Sequence, residues 1–173
     1  KGLALRSDVD PEVPAAIVSD SLRLAQILKN LLSNAVKFTE RGQVHLSVSL
    51  RDGERLSFAV SDTGIGLSPE QLPLIFEAFR QADAGTSRRF GGTGLGLSIS
   101  RELARRLGGD IEAESEAGRG SVFTLVLPLK WSLAAEPRSD AAGESRAAAG
   151  AALVAAAVDA GAVAAEGPAL AII

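Results

Sequence analysis

Two spacings of apolar residues organise this chain, one of two residues and one close to 3.6. Leu3 to Asp8 sets Leu3 and Leu5 against Ala4 and Arg6, an alternation that predicts a strand. Pro11 and Pro14 then hold an extended connector. Ser19 or Asp20 can cap the helix that follows, in which apolar residues recur at Leu24, Ile27, Leu28, Leu31, Ala35 and Phe38. That helix ends near Thr39, and Arg41-Gly42 turns the chain into Gln43–Leu50. There Val44, Leu46, Val48 and Leu50 share one side of a strand, with Gln43, His45, Ser47 and Ser49 on the other. Asp52-Gly53 signals a hairpin into a second strand with Leu56, Phe58 and Val60 inward.

Asp62-Thr63-Gly64-Ile65-Gly66 breaks the alternation. Ser68-Pro69, with Gln71 three after the serine, has the form of a helix cap with proline at the first helical position. Pro73 interrupts, so the expectation is a short turn and then a helix through Ile75, Phe76 and Phe79. Residues 80–94 are polar, contain glycine and have no period, which predicts a mobile loop. A helix from about Leu95 to Leu107 stops at Gly108-Gly109. Ile111–Ser115 and Ser121–Leu127 form a last hairpin around Gly118-Arg119-Gly120. The order strand, helix, hairpin, short helix, loop, helix, hairpin predicts an α+β fold: a mostly antiparallel sheet with helices on one face.

The globular pattern ends near Trp131, which makes residues 1–131 one domain. Residues 132–173 hold 18 alanines among 42 with no clean helical face, so 132–167 reads as an alanine-rich, semi-helical linker. The closing Pro168-Ala-Leu-Ala-Ile-Ile173 has the composition of a strand's beginning.

Charge narrows the chemistry. Residues 1–131 carry 16 Lys and Arg against 16 Asp and Glu, and so lack the basic excess of a nucleic-acid surface. Without cysteine there are no disulfides, thiolate metal sites or Cys nucleophile, and any His-based site would rest on His45 alone. On the polar side of a strand, His45 is expected to be a solvated surface residue. No signal peptide and no apolar run long enough to span a bilayer are present, so the expectation is a soluble, cytoplasmic segment without membrane contact of its own.

Candidate chemistry lies in three places. Gly92, Gly94 and Gly96 alternate just before a helix, the outline of a phosphate site and equally of a tight turn. Neither glycine run completes GxGxxG, because Pro69 and Ile99 occupy the last positions, and no P-loop motif occurs. On the first helix Asn30, Asn34 and Lys37 fall within about 60° of one another at 100° per residue. They form either a solvent stripe or a group in which carboxamides reach Mg²⁺ and a lysine neutralises phosphate. Asp62, at a strand end ahead of Gly64 and Gly66, either closes an Asx-type turn or accepts a hydrogen bond from an exocyclic amine such as adenine N6.

Taken together, four stretches resemble the N, first glycine, phenylalanine and second glycine boxes of sensor histidine kinases, in that family's order. They are Asn30-Leu-Leu-Ser-Asn34-Ala-Val-Lys37-Phe38-Thr39, Asp62-Thr-Gly64-Ile-Gly66, Ile75-Phe76-Glu77-Ala-Phe79-Arg80-Gln81 and Gly92-Thr-Gly94-Leu-Gly96-Leu. Gly118-Arg-Gly120-Ser121 resembles the family's late glycine turn, and the likeness covers about residues 1–130. The resemblance implies the Bergerat ATP-binding fold, a two-layer α/β sandwich shared with gyrase B, MutL and Hsp90. It implies that Asn34 ligates Mg²⁺ with Asn30 in support, Lys37 contacts phosphate, Phe38 lines the base and Asp62 binds adenine N6. Gly64 and Gly66 would shape the base pocket. Phe76 and Phe79 would anchor an ATP lid that sends Arg80 and Arg88 to the γ-phosphate. Gly92, Thr93, Gly94, Leu95, Gly96 and Leu97 would wrap the phosphates, with the glycine run as hinge.

In the ATPase relatives a glutamate four residues before the metal-binding asparagine activates water. Asn30 stands there and cannot take a proton at neutral pH, which favours a protein histidine kinase over an ATPase. The family's acceptor histidine lies on a separate, dimeric helical hairpin and is followed by an acid, whereas His45 is followed by Leu46. The chain is therefore expected to bind ATP and Mg²⁺ and to need that partner for phosphoryl transfer. KFT and FRQAD…TSRRFGGTGLGLS resemble the hybrid subset, with 168–173 as the first strand of a truncated receiver domain. The alternatives are an ATPase of the same superfamily and a pseudokinase that only senses nucleotide.

Overall fold

The computed structural model describes residues 1–14, 16–79, 94–129 and 171–172. Expectations about Arg80, Arg88, Gly92 and Thr93, about mobility through residue 93 and about the 132–167 linker lie outside these residues. In chain order the elements are β1 (Ala4–Val9), β2 (Ala16–Ile17), helix α1 (Ser21–Phe38), β3 (Gln43–Arg51) and β4 (Arg55–Asp62). A 3₁₀ turn (Leu72–Leu74), helix α2 (Gly96–Arg106), β5 (Asp110–Glu116), β6 (Gly120–Pro128) and β7 (Ala171–Ile172) follow.

Helix α1 starts where the Asp20 side chain accepts the Arg23 N–H at 3.0 Å. Its apolar stripe, Leu24, Ile27, Leu28, Leu31 and Ala35, is buried on the sheet. The far end is finished by a lysine from the start of the chain. Lys1 Nζ donates to the carbonyls of Val36 and Lys37 at 2.9 Å and of Thr39 at 3.3 Å, a cation at the negative end of the helix.

The main sheet runs β1-β3-β4-β6-β5. β1 is parallel to β3 because α1 carries the chain back between them; the other pairs are antiparallel. Asp52 and Gly53, both at positive φ, close the β3–β4 hairpin as their sequence signals. Register aligns Val48, Phe58, Leu125 and Ile111 across four strands, and with Leu56, Val60, Phe123 and Leu127 they form the inner face under the helices. The opposite face carries Ser47, Ala59 and Thr124 in one cross-strand row. His45 lies on that face, but it is more than a solvated residue: its Nε2 is 2.6 Å from the Asp8 carboxylate on β1.

The helix expected through Ile75, Phe76 and Phe79 does not form. Ser68 and Gln71 do make the capping bond, the Ser68 N–H donating to Gln71 Oε1 at 2.9 Å, yet only the 3₁₀ turn follows. Pro73 supplies no N–H to a ladder, and Phe79 sits at φ 64°, a left-handed conformation that stops any helix. The β2 strand, within the expected connector, pairs in parallel with β7 through Ala16–Ala171 and Ile17–Ile172.

Leu31→Ala, at a fully buried position of α1, is expected to cost about 2–5 kcal/mol in urea unfolding. Leu22→Ala, 79% exposed on the same helix, should fall within about 0.5 kcal/mol of the parent. Equal losses would contradict the buried face.

Candidate functional site

The C-terminal half of α1 is where the separated motifs meet. Asn30, Asn34, Lys37 and Phe38 are all half-buried there. Asn30 faces α2: its Nδ2 donates to the buried Ser100 Oγ at 2.9 Å. A Cβ built on Gly96 would come within 2.7 Å of Asn30 Oδ1, so glycine at the start of α2 leaves room for the Asn30 carboxamide. The Lys37 ammonium rests 5.0 Å from the centre of the Phe38 ring.

β4 ends by delivering Asp62 beneath this helix. The Gly64 N–H donates to its Oδ1 at 2.8 Å, the Asx-type turn of the sequence. The Ser121 backbone N–H and the Thr39 hydroxyl also reach the carboxylate. The same hydroxyl lies 2.7 Å from the Ala35 carbonyl, so its single proton goes either to that oxygen or to Asp62. Burial nevertheless outweighs these donors and pushes the Asp62 carboxyl above the usual aspartate range. An acceptor left with that deficit suits one more donor, such as an exocyclic amine.

The glycines after Asp62 are set by close backbone packing. Ile65 N–H donates to Phe38 O at 3.3 Å, and a Cβ on Gly64 would lie 2.5 Å from that oxygen. On the other side Gly118 N–H donates to Ile65 O at 2.7 Å, and Leu67 N–H donates to Ser115 Oγ at 2.8 Å. Gly66, at φ 62°, has no room for a Cβ against Glu116 O. The loop is thus held between the end of α1 and the β5–β6 turn.

Phe76 is half-buried and packs on the core, whereas Phe79 is 77% exposed. The Phe79 N–H donates to Gly94 O at 3.2 Å, so the two residues flanking 80–93 are joined. Among the described residues no side chain caps α2, whose first N–H groups follow Gly94 and Leu95. Leu97 packs against the core, which leaves its backbone as the part able to face a ligand. Ser100, Thr39 and Ser121 had no role in the sequence reading. Thr39 and Ser121 do close the quoted motifs, but Ser100 lies 70 residues from its partner.

Among the described residues no group of three or more His, Cys, Asp and Glu side chains could hold a metal. Asn34 could serve Mg²⁺ with phosphate and water among the other ligands, which is how that ion usually binds. No helix among the described residues is long and apolar enough to cross a membrane.

The family model of histidine kinase-, DNA gyrase B- and HSP90-like ATPases matches residues 19–130. Hybrid signal transduction histidine kinase B of Dictyostelium discoideum is 45% identical over 132 residues, which cover 74% of this chain and 7% of that protein. Sensor histidine kinase RcsC of Escherichia coli is 45% identical over 129 residues, covering 75% of this chain and 14% of that one. The chain thus spans a small part of these relatives. Full-length ShkA in complex with AMPPNP superposes with a TM-score of 0.62 at 33% identity, covering 96% of this chain and 35% of ShkA. The catalytic domain of histidine kinase ThkA does so at 0.60 and 28%, covering 74% and 81%.

Because the Asp62 carboxyl is raised, the folded state holds its proton more tightly than the unfolded chain, and its effect on stability has a fixed sign. The stability of the parent minus that of Asp62→Ala should fall as pH rises from below 3.8 through the raised value, then level off. Urea midpoints across that range check it; a difference that stays flat or grows with pH would contradict the burial-driven shift.

Proposed function

Because this chain belongs to the histidine kinase-, DNA gyrase B- and HSP90-like ATPase family, we propose that it is the ATP- and Mg²⁺-binding catalytic domain of a hybrid histidine kinase. The observation that carries this reading is the convergence on α1: Gly96 against Asn30, Gly64 against Phe38, and Asp62 bonded to Thr39. Residues 30–39, 62–66 and 94–97 thereby border one place.

In this reading Asp62 accepts a hydrogen bond from adenine N6 while Gly64, Gly66 and Phe38 enclose the base. Lys37, beside Phe38, would neutralise the phosphates. The uncapped N–H groups at the start of α2, with Gly94, Leu95, Gly96 and Leu97, turn toward the same phosphates. Asn34 would ligate Mg²⁺, which when bound would draw charge from the phosphate oxygens. Arg80, Arg88, Gly92 and Thr93 belong to the same reading through the motif likeness.

Position 30 bears on the acceptor. Asn30 has no basic atom, and its nitrogen is committed to Ser100, so water attack gains no general base there. The γ-phosphoryl group is kept for a histidine on a helical-hairpin partner, and charge neutralisation and alignment do most of the work of transfer. The similarity to a hybrid histidine kinase supports a receiver domain in the parent protein; in the same reading 168–173 is that domain's first strand and the whole has a cytoplasmic setting.

Lys37→Ala should weaken ATP binding by about 10–100-fold, as expected for a lost charged contact, and leave adenosine binding nearly unchanged. Asp62→Ala should weaken both. Calorimetry with the two ligands separates these outcomes, and equal tolerance of both substitutions would refute the site. Adding a helical hairpin that carries an acceptor histidine should yield phosphohistidine from ATP. Steady hydrolysis without it, lost in Asn34→Ala, would instead assign an ATPase; tight binding with neither product would assign a nucleotide sensor.

A further inference from the structure

Helix α2 holds two neighbours by consecutive residues. Ser100 points at Asn30 on α1, and Arg101, 100° further round, points at Phe76 and the start of β5. The Arg101 guanidinium stacks 4.5 Å from the centre of the Phe76 ring. The same group donates through Nε to Asp110 Oδ1 at 2.8 Å and through a terminal nitrogen to Oδ2 at 3.1 Å, a two-point fork. Asp110 is itself fixed, since its Oδ1 also accepts the Ile111 N–H at 2.8 Å. Just before it, Gly109 lies so close to Val126 O that no Cβ fits. A rigid strand end therefore holds a carboxylate, the carboxylate holds a guanidinium in plane, and the guanidinium covers an aromatic ring.

That ring lies three residues before Phe79, whose N–H is bonded to Gly94 O. Two contacts thus join the chain on either side of 80–93: the Phe79–Gly94 hydrogen bond and the Phe76–Arg101 stack. We infer that Arg101 is a positioning residue which, braced by Asp110, sets the distance between the phenylalanine segment and α2 and so holds the start of α2, with the backbone N–H groups at Gly94 to Leu97, toward the nucleotide phosphates. The inference rests on the ATP reading above. It differs from that reading in naming a side chain that touches no nucleotide.

A lone surface ion pair here would contribute little, because both partners are partly exposed. What distinguishes Arg101 is the second contact: a planar cation can satisfy a carboxylate edge-on and an aromatic ring face-on at once, which a lysine cannot. Arg105 also approaches Asp110, at 3.6 Å, but has no ring to cover.

The test compares ATP with adenosine on the purified chain. Arg101→Gln should weaken ATP binding about tenfold, the scale of a lost stacked and forked contact, and leave adenosine within about twofold. Arg101→Lys should recover less than half of the lost ATP affinity. Phe76→Leu, which keeps an apolar group, should give the same ATP-selective loss, and the Phe76→Leu/Arg101→Gln double variant should be no weaker than either single one. Asp110→Asn, which keeps an acceptor for Ile111, provides the same test if Arg101→Gln does not fold. An unchanged ratio of ATP to adenosine affinity, additive effects in the double variant, or full recovery by lysine would overturn the inference. A parent chain that binds neither ligand would instead overturn the ATP reading, so the two failures are distinguishable.

Discussion

Burying the Asp62 carboxylate at the end of β4 costs solvation that donors from three separate segments offset only in part. Thr39 comes from the end of α1, Gly64 from the turn that follows β4, and Ser121 from the second residue of β6. Each of the three bonds favours the charged carboxylate, so the helix, the loop and the last hairpin meet at one point. The remaining deficit leaves the carboxylate able to take one more donor, which is what the proposed role in base recognition would ask of it.

Close approach then follows from glycine. A Cβ on Gly120 would strike Asp62 O, one on Gly66 would strike Glu116 O, and one on Gly64 would crowd Phe38 O. These residues let three backbone segments pass within hydrogen-bonding distance. The glycine-rich stretch after Asp62 is therefore a place of close backbone packing and not only of freedom to turn. The glycine run near residue 94 acts differently. Gly96 clears space for Asn30, and the uncapped N–H groups of α2 begin immediately beyond it.

Position 30 joins packing to chemistry. A carboxamide can donate to Ser100 and thereby bind α1 to α2, whereas a carboxylate there would offer that partner no N–H. The residue that withholds a general base is also the residue that locks the second helix. Arg101, next along α2, bonds the other way, toward β5 and Phe76. Between them α2 is held to the Asn30 motif, to the Phe76 segment and to the start of β5.

The sequence by itself determined the elements whose pattern repeats over many residues: α1, the β3–β4 hairpin with its Asp52-Gly53 turn, α2, and the β5–β6 hairpin. Each is set by local spacing of apolar side chains and by turn residues that need positive φ. It also carried the family, because four ordered motifs sit in one chain and 45% identity to hybrid histidine kinases accompanies them. It overstated the segment after Pro73, where a helical run of apolar residues exists but the chain turns left-handed at Phe79. Only the tertiary structure decided what lies across the sheet or between helices. The parallel pairing of β1, the Lys1 cap on α1, the Asn30–Ser100 bond and the Arg101 brace all join residues distant in sequence or in element. No periodicity records such pairs, because a hydrogen bond between residues 70 positions apart exists only once the apolar faces have packed.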